Sequence, residues 1–356
     1  MTKEYNKLSI FLVDLEAVET RYTGQWKTHV PDLLEEAGHA VTIIQGPTDI
    51  PNATTPGAFL NFGGTNIYKA RQVEEIARLF TGGKVVDGDH FLFTDAWHPG
   101  IINLKYMAEL LGIKVKIHAL WHAGSYDPQD FLGRLIGDAP WVRHSEKAFF
   151  HAIDYNYFAT DFHIDMFAKN LFAGEVDKSK IVRTGWPMEY MENTLLTYKN
   201  LPKRDLILFP HRIAPEKQVE IFRDLAVSMP EYEWIVCQDQ NLTKDQYHQL
   251  LGQAKIVFSA NLQETLGISC YEGAIVNCVP LVPDRLSYTE MYSSIFKYPS
   301  VYTESWDGYQ AHKSELMDVI HYHIENYPST LRILRAQAES LHNNFFSATN
   351  LIENIK

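Results

Sequence analysis

Short apolar runs alternate with amphipathic stretches along most of the chain, which is the pattern of βα units feeding a largely parallel sheet. In the first half the runs predict strands at Leu8–Val13, Ala40–Ile44, Ala58–Phe62, His90–Thr94 and Val115–Leu120. The helical segment between the first two ends in EEAGHAV, where Gly38 suits the left-handed residue that closes a helix. A second set starts at Asp205 with DLILFP and continues through EWIVCQ, KIVFSA and VPLVP, each followed by a helical pattern. The stretch Trp186–Arg204 breaks the alternation and predicts the domain junction. The reading is an α/β chain of two Rossmann-like, doubly wound domains facing a central cleft. They span residues 1–188 and 189–335, and a C-terminal helix over 336–356 returns to the first domain.

Length agrees with that division, because 356 residues exceed what one core usually organises. The charge is −12, from 32 Lys+Arg against 44 Asp+Glu, so no global positive field draws the chain to phosphate backbones or anionic lipid. Three cysteines, Cys237, Cys270 and Cys278, with no C-x-x-C pair, point away from a disulfide framework and a structural zinc site. The start, MTKEYNKLSIFLVD, lacks a signal-peptide pattern, and no stretch of about 18 residues is free of charge. The expectation is a cytoplasmic protein, in the host cytoplasm if viral, with no membrane partner; the N-x-T sites at Asn52 and Asn241 then carry no meaning.

Candidate chemistry concentrates in FSANLQETLGISCYEGAIVNCVPLV, Phe258 to Val282. The strand ends in a polar loop, and Gly267 opens a helix whose free amides offer a seat for phosphate. Glu264 stands just before that helix and Glu272 lies about one and a half turns inside it. These two acceptor-only groups flank an anion site, a composition that suits a sugar nucleotide. Upstream, LILFPHRIAPEKQVEIF places Arg212 and Lys217 near a strand's carboxyl end, before a helix expected from Pro215, where the two cations can clamp a diphosphate.

In this order and spacing the second half resembles the nucleotide-sugar domain of the family-four retaining glycosyltransferases of the GT-B fold, with G-R-x-x-x-E-K-G and later E-G-F-G-x-x-x-x-E-A-x-x-x-G-x-P-V. The chain reads H-R-I-A-P-E-K-Q and E-T-L-G-I-S-C-Y-E-G-A-I-V-N-C-V-P-L, keeping Arg212, Glu216, Lys217, Gly267, Pro280 and the E-x7-E spacing. The resemblance implies that Arg212 and Lys217 bind the diphosphate, Glu264 the donor sugar and Glu272 the ribose, with Thr265, Leu266 and Gly267 at the donor. It implies a nucleoside-diphosphate sugar, by family habit a UDP-sugar, as donor substrate, and no other cofactor. Gln218 stands where the family has Gly, Thr265 and Leu266 where it has G-F, and Asn277 where it has Gly, a position at which Asn also accepts a left-handed backbone.

The first half carries a fainter likeness, in LSIFLVD, Thr23-Gly24-Gln25 and AGHAVTII, with Gly24 matching one glycine of the family's G-G loop and Pro31 expected to kink or delay the helix. Histidines follow two strands: His98 in FLFTDAWHPG, and His118 and His122 in VKIHALWHAGSYD. His122 matches the family's histidine beside the donor sugar. Asp87-Gly88-Asp89 has the form of a D-x-D metal motif, but it precedes an apolar run and reads as a turn. His118-x3-His122 has no third ligand for zinc, and no metal is expected. The aromatic run His151–Phe167 reads as core and wall, the family's last βα unit before the junction.

For the acceptor, the chain looks like phage-borne transferases that glycosylate hydroxylated or hydroxymethylated pyrimidines in DNA. Duplex DNA would then face Lys114 and Lys116, Lys178 to Arg183, or Lys199 to Arg204, with the target base flipped out of the stack. Transfer to a small sugar or oligosaccharide, a sugar-nucleotide epimerase and a non-catalytic nucleotide-binding protein are the alternatives. Oligomeric state is not legible.

Overall fold

The computed structural model describes residues 8–18, 22–51, 53 and 60–355. The chain forms two compact units, one made of residues up to Pro187 together with those from Ala348 on, the other of Met188–Ser347. The helix Tyr327–Phe345 lies in the second unit, so the segment that rejoins the first is shorter than a 336–356 helix.

The first unit is built on six parallel strands, β1 (Ser9–Val13), β2 (Ala40–Ile44), β3 (His90–Phe93), β4 (Lys116–Trp121), β5 (Tyr155–Phe158) and β6 (Ile181–Arg183), in the order β2-β1-β3-β4-β5-β6. The second has five, β7 (Arg204–Phe209), β8 (Glu233–Val236), β9 (Ala254–Phe258), β10 (Val279–Pro283) and β11 (Lys297–Tyr298), in the order β11-β10-β9-β7-β8. In each sheet the first strand lies between the second and third of its set. The winding direction therefore reverses beside β1 and again beside β7, and a doubly wound sheet leaves a crevice for ligands past the strand ends at such a point.

Burial on both faces explains why the central strands read as continuous apolar runs. Ile10 to Val13, Phe91 to Phe93, Leu206 to Phe209 and Ile256 to Phe258 are all at most 5% exposed. The core of the first unit is aromatic, with Phe91, Phe93, Trp121, Phe150, Phe158 and Phe167 packed together. The Trp121 indole N–H is satisfied within it by Asn156 Oδ1 at 2.8 Å.

Two local expectations are corrected. Of the strand expected at Ala58–Phe62, residues 58 and 59 lie outside the described residues; Asn61 caps a helix, Phe62–Thr81, its Oδ1 accepting the Gly64 amide at 2.8 Å, so an N-cap rather than a strand occupies the rest. Pro31 neither delays nor ends its helix, which spans Thr23–Glu36: a proline removes a single amide, and this one is buried on the packed face. The aromatic run 151–167 takes in the end of the helix Pro140–Ala152, strand β5 and the helix Asp161–Phe172, a largely buried βα unit as expected. Among the described residues no helix is long and apolar enough to cross a membrane.

Candidate functional site

The strongest constellation lies at the reversal point of the second sheet, where the segments after β7 and β9 run side by side. Three consecutive residues of the first segment are stitched to the second. The Glu216 carbonyl accepts from the Leu262 amide at 2.8 Å, Lys217 Nζ donates to the Gln263 carbonyl at 2.5 Å, and Gln218 Nε2 donates to the Ala260 carbonyl at 2.6 Å. A second bond from Gln218 Nε2 reaches the Thr303 carbonyl, also at 2.6 Å. The helix expected from Pro215 begins at Val219 instead; Pro215–Lys217 is a 3-10 turn, and Gln218 joins the two with a left-handed backbone, φ +54°. That backbone is the physical reason a glycine suits this place in the family pattern.

Lys217 and Glu264 form the centre. The ammonium lies 3.1 Å from Glu264 Oε2, and the two side chains are only 8% and 19% exposed. Asn261 Nδ2 donates to the same oxygen at 3.0 Å, and the Thr265 amide donates to Oε1 at 3.2 Å. Burial, the largest single influence, would raise the Glu264 carboxyl, but Lys217, with smaller help from His211 and the Gly267 amide, outweighs it and the group sits below the usual carboxylate range. It is therefore a charged, oriented acceptor. An ammonium has three N–H donors, and the Gln263 carbonyl and Glu264 use two of them. Arg212 donates through Nη2 to Glu216, whose side chain is fully buried, while the guanidinium remains 35% exposed. His211 is buried here, 3.5 Å from Ser269 Oγ; burial, aided by Lys217, pushes its pKa down to about 3, so the ring is neutral.

Gly267, with φ +66°, caps the helix Ile268–Ile275. A Cβ there would come within 2.7 Å of Tyr288 Cε1, so both backbone and space require glycine. The first-turn amides of Ile268 and Ser269 have no carbonyl within the helix to bond and present the positive end of its dipole. Leu266 is buried and Thr265 partly exposed. Glu272, four residues past the first of this helix, accepts from the Tyr247 hydroxyl at 2.8 Å, and burial raises its carboxyl. Asn277 adopts the left-handed backbone, φ +60°, expected for it. Sequence reasoning missed Asn261, Gln263 and His211; their one signal is that they immediately follow β7 and β9 at the reversal point.

In the first unit the expected residues are dispersed. His122 follows β4; its Nε2 donates to the Thr94 carbonyl at 2.6 Å, which leaves Nδ1 to accept from the Tyr22 hydroxyl at 2.5 Å. Trp186 and Trp26 pack on the same ring, with centroids at 4.6 and 5.5 Å. Gly24 is the second residue of the helix Thr23–Glu36 rather than part of a loop. His98 is structural: Nδ1 accepts the Gly100 amide and Nε2 meets Gln72 Oε1, both at 2.9 Å, and burial pushes its pKa down to about 3. His118 does not join His122. It is fully buried inside the sheet, its Nε2 2.9 Å from His90 Nδ1 and its Nδ1 2.7 Å from the Tyr157 hydroxyl.

Asp87-Gly88-Asp89 forms the turn before β3, Asp87 accepting the Lys114 amide at 2.8 Å and Asp89 the Val86 amide at 2.8 Å. Among the described residues no group of three or more His, Cys, Asp or Glu side chains could hold a metal ion. At the end of β1, Asp14 bonds Lys27 Nζ and the Tyr68 hydroxyl, each at 2.6 Å, and burial raises its carboxyl in spite of the ammonium.

No family model and no curated protein matches the sequence. Solved structures do match in fold. Anabaena HepE in complex with UDP and glucose aligns at TM-score 0.59 with 11% identity over 98% of each chain. The catalytic domain of starch synthase IV from Arabidopsis thaliana, bound to ADP and acarbose, aligns at 0.56 with 11% identity over 98% of each chain. An α,α-trehalose 6-phosphate synthase from Burkholderia multivorans aligns at 0.54 with 11% identity over 96% of this chain and 98% of that one. Two parallel-sheet units with helices, matching these enzymes over nearly the whole chain, are the GT-B fold.

Proposed function

We propose that the protein is a glycosyltransferase that moves a sugar from a nucleoside-diphosphate sugar, in the first instance a UDP-sugar, to a hydroxyl acceptor with retention at the anomeric carbon. The observation that carries this reading is the buried Lys217–Glu264 pair beside the Gly267-capped helix, at the reversal point of the second sheet. Lys217 and Arg212 supply positive charge to the diphosphate as it leaves, with the amides at the helix start adding their dipoles. Glu264, held by Lys217 and Asn261, accepts from donor-sugar hydroxyls, and Glu272 from the ribose. The acceptor oxygen bonds to the anomeric carbon as the carbon–phosphate oxygen bond breaks, and the acceptor proton passes to the departing diphosphate. The fold match supports the donor class, since HepE is complexed with UDP and glucose and starch synthase IV with ADP.

For the acceptor we propose a hydroxymethylated pyrimidine in phage DNA. Transfer to a small sugar is the second reading, favoured by the way most of the expected basic clusters are engaged. Lys180 Nζ donates to the His151 and Ile153 carbonyls and Lys203 Nζ to those of Ala254 and Val276. Arg183 pairs with Asp161 and Arg204 with Glu233. Lys114, Lys116 and Lys178 remain exposed for a phosphate backbone.

The test is release of nucleoside diphosphate from a panel of UDP-sugars, with duplex DNA carrying hydroxymethylated or unmodified cytosine, or with simple glycosides. Release that depends on the hydroxymethyl group establishes the DNA acceptor; release that depends on a glycoside selects the second reading; binding without turnover on any acceptor sinks the transferase. Lys217→Ala is expected to lower turnover at least about tenfold in a folded protein, and near-normal turnover in that variant would remove Lys217 from the mechanism.

A further inference from the structure

The first sheet has its own reversal point, between β1 and β3, and three buried polar groups at this edge of the unit lack partners among the described residues. Glu16, just past β1, is 7% exposed, and neither of its carboxylate oxygens accepts a hydrogen bond. The indole N–H groups of Trp26 and Trp186, on side chains whose residues are 3% and 5% exposed, have no acceptor. Buried polar groups in folded proteins are nearly always satisfied, so three orphans at one corner of the unit call for an explanation.

The chain path and the ring packing bring all three to the first turns of the helix Thr23–Glu36. Asp14, two residues before Glu16, is tied to Lys27 at 2.6 Å, and the Val18 amide, two residues after it, donates to Thr23 Oγ1 at 3.2 Å. Glu16 is thus held between two anchor points on the first turns of the helix Thr23–Glu36, the turns that also carry Trp26. The Trp26 ring in turn packs on Trp186 at 5.8 Å and on Tyr22 at 4.9 Å.

We propose that this corner is the acceptor subsite, in which Glu16 receives hydrogen bonds from hydroxyl or amino groups of a neutral acceptor ring and the Trp26 and Trp186 indoles donate to its oxygen or ring-nitrogen atoms. The inference rests on the transferase reading given above and deepens it. An ionised carboxylate only accepts and an indole only donates, so the set is complementary to a ring that offers both kinds of group. Aromatic faces beside it provide apolar contact for such a ring. An anionic ligand does not fit: the Lys27 ammonium is already paired with Asp14, Glu16 is acidic, and neither indole supplies positive charge. Two rings carry the matching chemistry, a flipped hydroxymethylated aminopyrimidine and a pyranose.

The experiment follows tryptophan fluorescence of the full chain during titration with 5-hydroxymethyl-2′-deoxycytidine and, separately, with methyl α-D-glucopyranoside, neither of which requires donor. A saturable change with one of them is expected, and identifies the source of the ring. Glu16→Gln, which keeps the shape but removes the charge and replaces one of the two acceptor oxygens by a donor, and Trp26→Phe, which keeps an aromatic ring but removes the N–H, are each expected to weaken that ligand about tenfold. UDP affinity, read by calorimetry, stays within about twofold of wild type in both, which also shows that they are folded. No response to either ring, or unchanged acceptor affinity in both folded variants, overturns the subsite. Failure of wild-type protein to bind UDP would instead overturn the donor reading and leave the titration to decide the subsite alone.

Discussion

Gln218 illustrates how one side chain can make an unfavourable backbone worthwhile. A left-handed conformation costs a non-glycine residue roughly 1–2 kcal/mol, yet here the side-chain amide reaches two buried carbonyls, Ala260 and Thr303. Gln218→Gly relaxes the backbone and removes one of the two donors to each carbonyl; Arg285 Nη2 still donates to Ala260 at 2.7 Å and to Thr303 at 3.1 Å, so each lost bond costs about 0.5–1.5 kcal/mol. Set against the relieved backbone, the variant is expected to lose at most about 2 kcal/mol net, read as a lower urea midpoint at unchanged slope. A midpoint at or above wild type would show that the two contacts contribute nothing net. At this scale the sequence was partly legible. The left-handed Asn277 and the turn at Asp87–Asp89 follow from residue type alone, whereas Gln218 registers only as a departure from a pattern. Asn261 was not legible: nothing in an Asn three places before a Glu says that its amide holds that carboxylate, because the contact depends on how the loop past β9 folds back.

Among the elements, the helix Ile268–Ile275 depends on its first residue's neighbour. Gly267→Ala adds a Cβ against the buried Tyr288 ring as well as a strained φ, so the helix start must shift. The expected result is a loss of about 2–3 kcal/mol in stability together with about tenfold weaker UDP binding by calorimetry. Gly38→Ala is the control, since its φ is +90° but nothing lies within 4 Å of the added carbon; only the backbone cost of about 1–2 kcal/mol is expected, with UDP binding unchanged. Equal UDP affinity in both variants would contradict the role given to the helix start. The strands with four or more consecutive apolar residues were read from sequence to within a residue or so, because burial on both faces enforces that composition. β5, four residues with an Asn buried to satisfy Trp121, offers neither alternation nor an apolar run and was hidden in an aromatic stretch. Strand order was not legible, since pairing of β1 with β3 joins residues about 80 apart and leaves no local trace.

For the whole molecule, acidity is the relevant variable. His98, His163 and His211 are buried and neutral, each pushed by burial down to about 3. Below the ordinary histidine value near 6.5 only the unfolded chain takes up these protons, so stability falls with pH until the folded groups titrate near 3, by about 1.4 kcal/mol per pH unit for each. Two of the three belong to the first unit. Urea unfolding is expected to show a large loss between pH 7 and pH 5, with signals from the first unit moving furthest; flat stability over that range would mean that these rings are already charged in the folded state.

The path of the chain adds a mechanical consequence. It leaves the first unit once, after Pro187, and returns once, before Ala348, and the last helix, Thr349–Asn354, is tied back by the Tyr157 hydroxyl donating to the Asn354 carbonyl at 3.2 Å. The second unit is thus an insertion within the first. During synthesis the first unit has all six strands before the second begins, but it cannot gain its last helix until the second has been made. Under tension applied between β1 and the last helix, the load falls first on the first unit, and the second stays shielded until that helix detaches.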